Sequence, residues 1–363
     1  MQKKIGIVTF HNSINYGAIL QTFALNRVLA KEGFSVEVID YVNEKIDTGL
    51  KSKGYVENKS IKAILKGALQ KFHGIRKYKA FSKFMDNNID LSGERDIRKS
   101  SIKKLGDNYD VFVTGSDQVW NLSLTNNDTT YFLDFVPDKA LKVAYSVSAG
   151  DYFKDDIKSV DSLVEKFNAV SVRESALNSF IKENCSVESC VCCDPVLLAD
   201  VSEFMKVKSK RLIRKKYIFC FLMGNKPGIM EVARNIAKEK NLVLIDNKSS
   251  VQFFLHSSPE DFLSWIYDAE YVLTDSFHGT AFSILFHKQF VSDKYDCDGK
   301  MKLRISNLLD SLKLKEYFIS INSKNTEVIK DLIYKQIDYE KVEEQRKIMS
   351  NKSHDWLIDA ITG

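Results

Sequence analysis

The chain has 363 residues, 44% hydrophobic and 28% charged, with 53 basic against 48 acidic side chains and a formal net charge of +5. That length and balance suit a folded protein with two cores of ordinary size, and so mild a charge excludes a protein built to coat nucleic acid. No apolar run approaches the ~18–20 residues that span a bilayer, and the chain enters a strand at Ile5 without a signal-peptide pattern, so a cytoplasmic location is expected.

The first unit reads as a strand over 4–10, a polar loop, a helix over about 17–32 and a strand over 34–41, which is a βαβ opening. In the loop, Asn15 is placed to cap the helix and Gly17 permits close backbone approach. The G-x-G-x-x-G spacing of a dinucleotide site is missing. Between Glu57 and Asp86 no acidic residue occurs, while Lys59, Lys62, Lys66, Lys71, Arg76, Lys77, Lys79 and Lys83 alternate with apolar residues. This predicts a basic amphipathic helical insertion over about 55–90. It is either a solvated helical face or a surface for anionic lipid.

A buried strand over Tyr109 to Thr114 empties into Gly115-Ser116-Asp117-Gln118-Val119-Trp120-Asn121. Strands over 142–148 and 169–172 end in Ala149-Gly150 and Arg173-Glu174-Ser175, a helix follows over about 175–184, and a strand through Cys192 meets Asp194-Pro195. With the polar loop after the first strand, four strand ends in this half carry polar or charged groups, the pattern of a parallel doubly wound sheet with a site along one edge. Cys185, Cys190, Cys192 and Cys193 lie in or beside an apolar run with no histidine to complete a tetrahedral set, so core thiols are expected and no metal.

The charged stretch 206–216 reads as the interdomain connection, giving domains of 1–205 and 206–363. A strand over 217–222, a turn over 224–228, a helix over 229–240 and a strand over 242–245 open the second unit, and Ser258-Pro259-Glu260-Asp261 starts a helix. Tyr271-Val272-Leu273 is a short strand and Ala281 to Phe286 continues at helical spacing, so 276–280 should form the turn between them. The N–H groups of 279–281, with the Ser276 and Thr280 hydroxyls, are then expected to face a phosphate or carboxylate. His278 either supplies a proton there or caps the turn. From about 325 the tail is helical and charged and is available to pack back on the first domain.

Asn15-Tyr16-Gly17-Ala18, Gly115 to Asn121, Ser171-Val172-Arg173-Glu174, Asp194-Pro195-Val196-Leu197 and Ser276-Phe277-His278-Gly279 occur in this order. The ordered set resembles the polysaccharide pyruvyl transferase family from the first strand to about residue 315. The resemblance implies an α/β protein of two Rossmann-like doubly wound domains facing a cleft, the GT-B type, with the acceptor on the N-terminal side and the donor on the C-terminal side. It implies transfer of a carboxyethylidene group from phosphoenolpyruvate to two sugar hydroxyls as a cyclic ketal, without metal or cofactor.

His278 would then protonate the methylene carbon and Arg173 would grip the carboxylate or phosphate bidentately, with Ser276, Gly279 and Thr280 in the donor site. Many members carry an arginine just ahead of the histidine. This chain has Thr274-Asp275-Ser276-Phe277 there, and Arg304 is either the substitute cation or a surface residue near a helix start.

On the acceptor side Asp117 either activates a hydroxyl or caps its turn, and Trp120 either stacks on a sugar or packs in the core. Asn15, Tyr16, Gly17, Gln118 and Asn121 are the remaining acceptor candidates. The implied acceptor is a surface polysaccharide, exopolysaccharide or capsule, or its lipid-linked precursor; where 59–83 is a lipid surface rather than a solvated face, the acceptor is met at the inner membrane face. A nucleotide-sugar glycosyltransferase shares the architecture, although 276–291 offers no carboxylate for a ribose. A non-catalytic glycan-binding member is the other alternative.

Overall fold

Runs of β-branched and aromatic residues become short parallel strands in both halves of the chain, and each half builds its own sheet. A computed structural model describes residues 2–46, 61–150, 157–295 and 302–363, the side chains of 61–71 excepted. The chain divides into two compact units, Met1–Ala199 with Ser353–Gly363, and Asp200–Lys352.

The first unit holds six parallel strands: β1 (Lys4–Val8), β2 (Ser35–Val38), β3 (Val111–Thr114), β4 (Leu141–Val147), β5 (Ala169–Val172) and β6 (Ser189–Val191). Their order is β2-β1-β3-β4-β5-β6, with Ile5 opposite both Val36 and Val111. The chain leaves β1 toward one edge and returns at β3 toward the other, so the switch point lies between them, where ligands of open α/β sheets bind. Helix α1 (Tyr16–Lys31) starts where Asn15 accepts the Gly17 and Ala18 N–H groups. A cap of this kind contributes about 1 kcal/mol.

Helix α2 (Ile61–Asn88) runs through most of the basic stretch. Lys59 and the side chains of Lys62, Lys66 and Lys71 lie outside the described residues. Helix α3 is Ser175–Asn184, as the sequence predicts. Residues 353–363 belong to this unit through Ser353 Oγ, which accepts the Cys193 N–H at 3.0 Å, and Lys3 Nζ, which donates to Ile361 O at 2.8 Å.

The second unit holds five parallel strands: β7 (Tyr217–Phe221), β8 (Val243–Asp246), β9 (Tyr271–Thr274), β10 (Gln289–Asp293) and β11 (Phe318–Ile319). Their order is β11-β10-β9-β7-β8, which puts the switch point between β7 and β9. Helix α4 (Pro227–Glu239) buries Ile229, Val232, Ala233, Ile236 and Ala237, the i, i+3, i+4 stripe of a helix laid on a sheet. Helix α5 (Pro259–Tyr267) begins with a capping box of Ser258 and Asp261 and with Pro259 in its first turn.

The charged stretch 206–216, expected to join two domains, lies inside this unit. Ser209 N–H donates to Glu260 O at 3.1 Å, Ser209 Oγ donates to Asp261 Oδ1 at 2.7 Å, and Ser264 Oγ donates to Lys210 O at 3.2 Å. Its charges therefore decorate a segment bonded to α5 rather than a linker. Helices α6 (Phe277–Leu285), α7 (Leu303–Ser311), α8 (Thr326–Tyr334) and α9 (Tyr339–Thr362) complete the described elements used below. Among the described residues no helix is long and apolar enough to cross a membrane.

Candidate active site

In the second unit, β9 ends at the switch point and its last residue ties two strand ends together. Thr274 Oγ1 donates to Phe221 O at the end of β7 at 2.6 Å and accepts the Ser276 N–H at 3.1 Å. Ser276 caps α6: its Oγ accepts the Gly279 N–H at 3.4 Å and its carbonyl accepts the Thr280 N–H at 3.0 Å. Thr280 Oγ1 bonds the same carbonyl at 3.0 Å and Ser292 Oγ of β10 at 2.7 Å.

The helix starts at Phe277, several residues before the predicted Ala281. This corrects the expected anion cradle. The Ser276 side chain takes the Gly279 N–H, the Ser276 carbonyl takes the Thr280 N–H and hydroxyl, and that hydroxyl also ties α6 to β10 through Ser292. Gly279 has a packing reason: a Cβ there would lie inside 3.0 Å of Thr274 Oγ1 and 3.3 Å from Phe221 Cδ1.

His278 stands in the first turn of α6, 8% exposed, with its ring edge-on to Phe277 at 5.2 Å between centroids. Arg304 is half-buried at the second position of α7. Sequence reasoning passed over two neighbours of this turn. Asp275 Oδ1 accepts the Met223 N–H at 2.6 Å, linking the β9 and β7 loops, and Lys302 Nζ lies 3.6 Å from Asp275 Oδ2. Lys302 belongs to no recognisable motif; only the path of the chain from β10 into α7 brings it to the β9 end.

In the first unit, the ends of β3, β4, β5 and β6 converge on a buried charged cluster. Arg173 Nη1 donates to Asp194 Oδ2 at 2.6 Å and Nη2 to Asp117 Oδ1 at 3.5 Å. Asp194 also caps the helical turn after β6 by accepting the Val196 N–H at 3.0 Å, and it accepts from Ser116 Oγ at 3.3 Å. Glu174 bonds Ser148 Oγ. Burial works against the Arg173 cation, but the charges of Asp194, Asp117 and Glu174 outweigh it and raise its pKa further.

Asp117 has φ 68, a left-handed conformation that aspartate tolerates better than most residues. Its carbonyl accepts the Ser148 N–H at 2.9 Å, which fixes the turn. Three carboxylates against one guanidinium make this an acidic environment, and both terminal nitrogens of Arg173 already serve carboxylates of its own chain.

Several expected acceptor contacts are structural. Trp120 is wholly buried, stacked on Phe132 at 5.0 Å, with its indole N–H donated to Tyr131 O at 3.2 Å, so it packs the core and offers no face to a sugar. Tyr16 is buried against Phe81 at 5.1 Å, with Lys77 Nζ 4.4 Å above its ring. Asn15 and Gly17 form the α1 cap. Gln118 and Asn121 remain half-buried at the β3 loop, joined by a 3.0 Å bond from Asn121 Nδ2 to Gln118 Oε1.

A buried histidine also escaped sequence reasoning. His11 Nε2 lies 2.9 Å from Asp40 Oδ1, and Asp40 Oδ2 accepts from Arg95 Nε at 2.7 Å and from the Asp96 N–H at 3.1 Å. A polar residue directly after a strand was the available signal. Among the described residues no group of three or more metal-ligating side chains is assembled.

The model of one family, described as polysaccharide pyruvyl transferase, matches residues 15–296. That range takes in the Asn15 cap, Asp117, Arg173, Asp194 and His278. No curated protein matches the sequence significantly. Among solved structures, the S. aureus MnaA protein in its complex with UDP is similar with TM-score 0.52 and 14% identity, covering 100% of this chain and 98% of that one. The Neisseria meningitidis UDP-GlcNAc 2-epimerase bound to UDP-GlcNAc is similar with TM-score 0.52 and 10% identity, covering 100% of both chains. The likeness is one of fold, the GT-B type of α/β protein.

Proposed function

Because the chain belongs to the polysaccharide pyruvyl transferase family, we propose that it moves the carboxyethylidene group of phosphoenolpyruvate onto two hydroxyls of a saccharide, forming a cyclic ketal and releasing phosphate. The observation that carries this is the β9–α6 turn. It presents His278 in the first turn of a helix beside the switch point of a parallel sheet, within the stretch that the family model matches.

In the proposed reaction His278 gives a proton to C3 of the enol, turning the methylene into a methyl and leaving C2 electron-poor. A sugar hydroxyl oxygen bonds to C2 as its proton leaves. The C2–O bond to phosphate then breaks, and the second hydroxyl closes the ring at C2. The two hydroxyl protons replace the one His278 gave and the one phosphate carries away.

The acidic cluster of the first unit suits the hydroxyl side of this chemistry. Asp117 is the proposed proton acceptor. Arg173, tied to Asp194 and Asp117, is assigned to positioning Asp117 rather than to gripping a donor that is itself polyanionic. The donor is then assigned to the second unit, to His278 of the turn and the cations at the start of α7, Lys302 and Arg304. The acceptor is proposed to be a surface polysaccharide or its lipid-linked precursor, with α2 reaching anionic lipid from the cytoplasmic side.

The test is a reaction in D2O with phosphoenolpyruvate and a panel of glycans. One phosphate should be released per ketal formed, and each ketal methyl should carry one deuterium, read by NMR. Release of nucleoside diphosphate from a nucleotide sugar, with none of phosphate from phosphoenolpyruvate, would overturn the proposal.

A further inference from the structure

Asp275 is 1% exposed, and while its Oδ1 accepts the Met223 N–H, its Oδ2 makes no hydrogen bond among the described residues. Lys302 Nζ stands 3.6 Å from that oxygen, beyond the range of a hydrogen bond. The ammonium makes no hydrogen bond among the described residues, yet its side chain is only 19% exposed. Its backbone is fixed, because the Lys302 N–H donates to Lys294 O at 3.0 Å and the residue occupies the cap position of α7. Among the described residues, a mostly buried ammonium with three donors and no acceptor within bonding distance is short of partners. An anion arriving at the β9 end would supply them.

We infer that Lys302 is the cation that receives an anionic end of the donor, the carboxylate or phosphate of the enol phosphate, while Asp275 holds the ammonium at the β9–α6 turn between turnovers. The inference rests on the pyruvyl-transfer proposal. It gives Lys302 the role that the sequence offered to Arg304.

Lys302→Ala, Lys302→Arg and Asp275→Asn are compared with the wild type in phosphate release from phosphoenolpyruvate, with melting temperatures recorded alongside. Lys302→Ala should raise KM for phosphoenolpyruvate about 10–100-fold, the worth of a hydrogen bond to a charged group, with kcat changed far less. Lys302→Arg should recover most of the affinity. Asp275→Asn keeps an oxygen for the Met223 N–H but gives up the charge that holds the ammonium, and should raise KM by less than Lys302→Ala does.

If the wild type turns over phosphoenolpyruvate and Lys302→Ala has the same KM, Lys302 is only an ion-pair partner and this inference alone falls. If Asp275→Asn raises KM as much as Lys302→Ala, the pair acts structurally and the inference likewise falls. A wild type that neither binds nor uses phosphoenolpyruvate would remove both the inference and the proposal beneath it.

Discussion

Gly279 is small for a steric reason that the histidine beside it depends on. Thr274 Oγ1 is held by Phe221 O and the Ser276 N–H, so it cannot retreat from an added methyl. Gly279→Ala should therefore cost about 1–3 kcal/mol, the range for overpacking a filled site; a chemical denaturation midpoint equal to that of the wild type would show that the turn has slack. Asp194 is the stronger partner of Arg173, and Asp194→Ala leaves a buried guanidinium short of a charge. The expected loss is about 3–5 kcal/mol, measured by urea unfolding, and a loss below about 1 kcal/mol would contradict the picture of a dry, paired cluster. At this scale the sequence was legible where a side chain serves its own turn, as with Asn15 and Ser258. It left Trp120 open, because an aromatic in a polar loop looks the same whether its ring faces a ligand or the core, and only the Phe132 and Phe167 rings brought in from elsewhere in the chain decide it.

At the scale of elements, strand ends and helix starts were readable because apolar runs and capping residues are local signals. The β9–α6 junction began earlier than predicted because Phe277 and His278 carry no helix-start signature of their own; Ser276, three residues before Gly279, supplies it. The loop after β1 gives a pH prediction. Burial alone would raise the Asp40 carboxyl, but the hydrogen bond and charge of His11, the Asp96 N–H and Arg95 outweigh it and hold the group well below the usual carboxylate range. A depressed folded pKa means stability that is fully present above the unfolded value of about 3.9 and is lost as the pH falls toward the folded one. Asp128 and Asp246 are shifted in the same direction. Unfolding free energy should thus fall on acidification below about pH 4, and Asp40→Asn should be less stable at pH 7 with a shallower acid dependence; an unchanged slope between pH 5 and pH 3 would contradict the assignment. Helix α2 carries the remaining element-scale prediction. Phe72 is 62% exposed, in the same helix as Arg76, Lys79 and Lys83, so co-sedimentation with vesicles containing anionic lipid should occur at low salt and fade as salt rises. Absence of any salt-sensitive binding would leave α2 a solvated helix.

Across the whole molecule, two parallel sheets were legible because buried parallel strands read as continuous apolar runs ending in polar loops, while their switch points emerge only from the strand order. What was not legible is which polar residues those loops bring together, since Asp194 with Arg173, or Lys302 with Asp275, are neighbours only through the order of strands. Charge divides between the units: the first gathers Asp117, Glu174 and Asp194 around Arg173, while the second sets Lys302 and His278 by one turn. The most direct test of phosphoenolpyruvate as donor and His278 as acid is the rate of phosphate release by the wild type and by His278→Gln, with the rise in melting temperature on adding phosphoenolpyruvate recorded for both. The rate should fall by about 10²-fold or more while the ligand-induced rise persists. A His278→Gln protein that releases phosphate at the wild-type rate would contradict it.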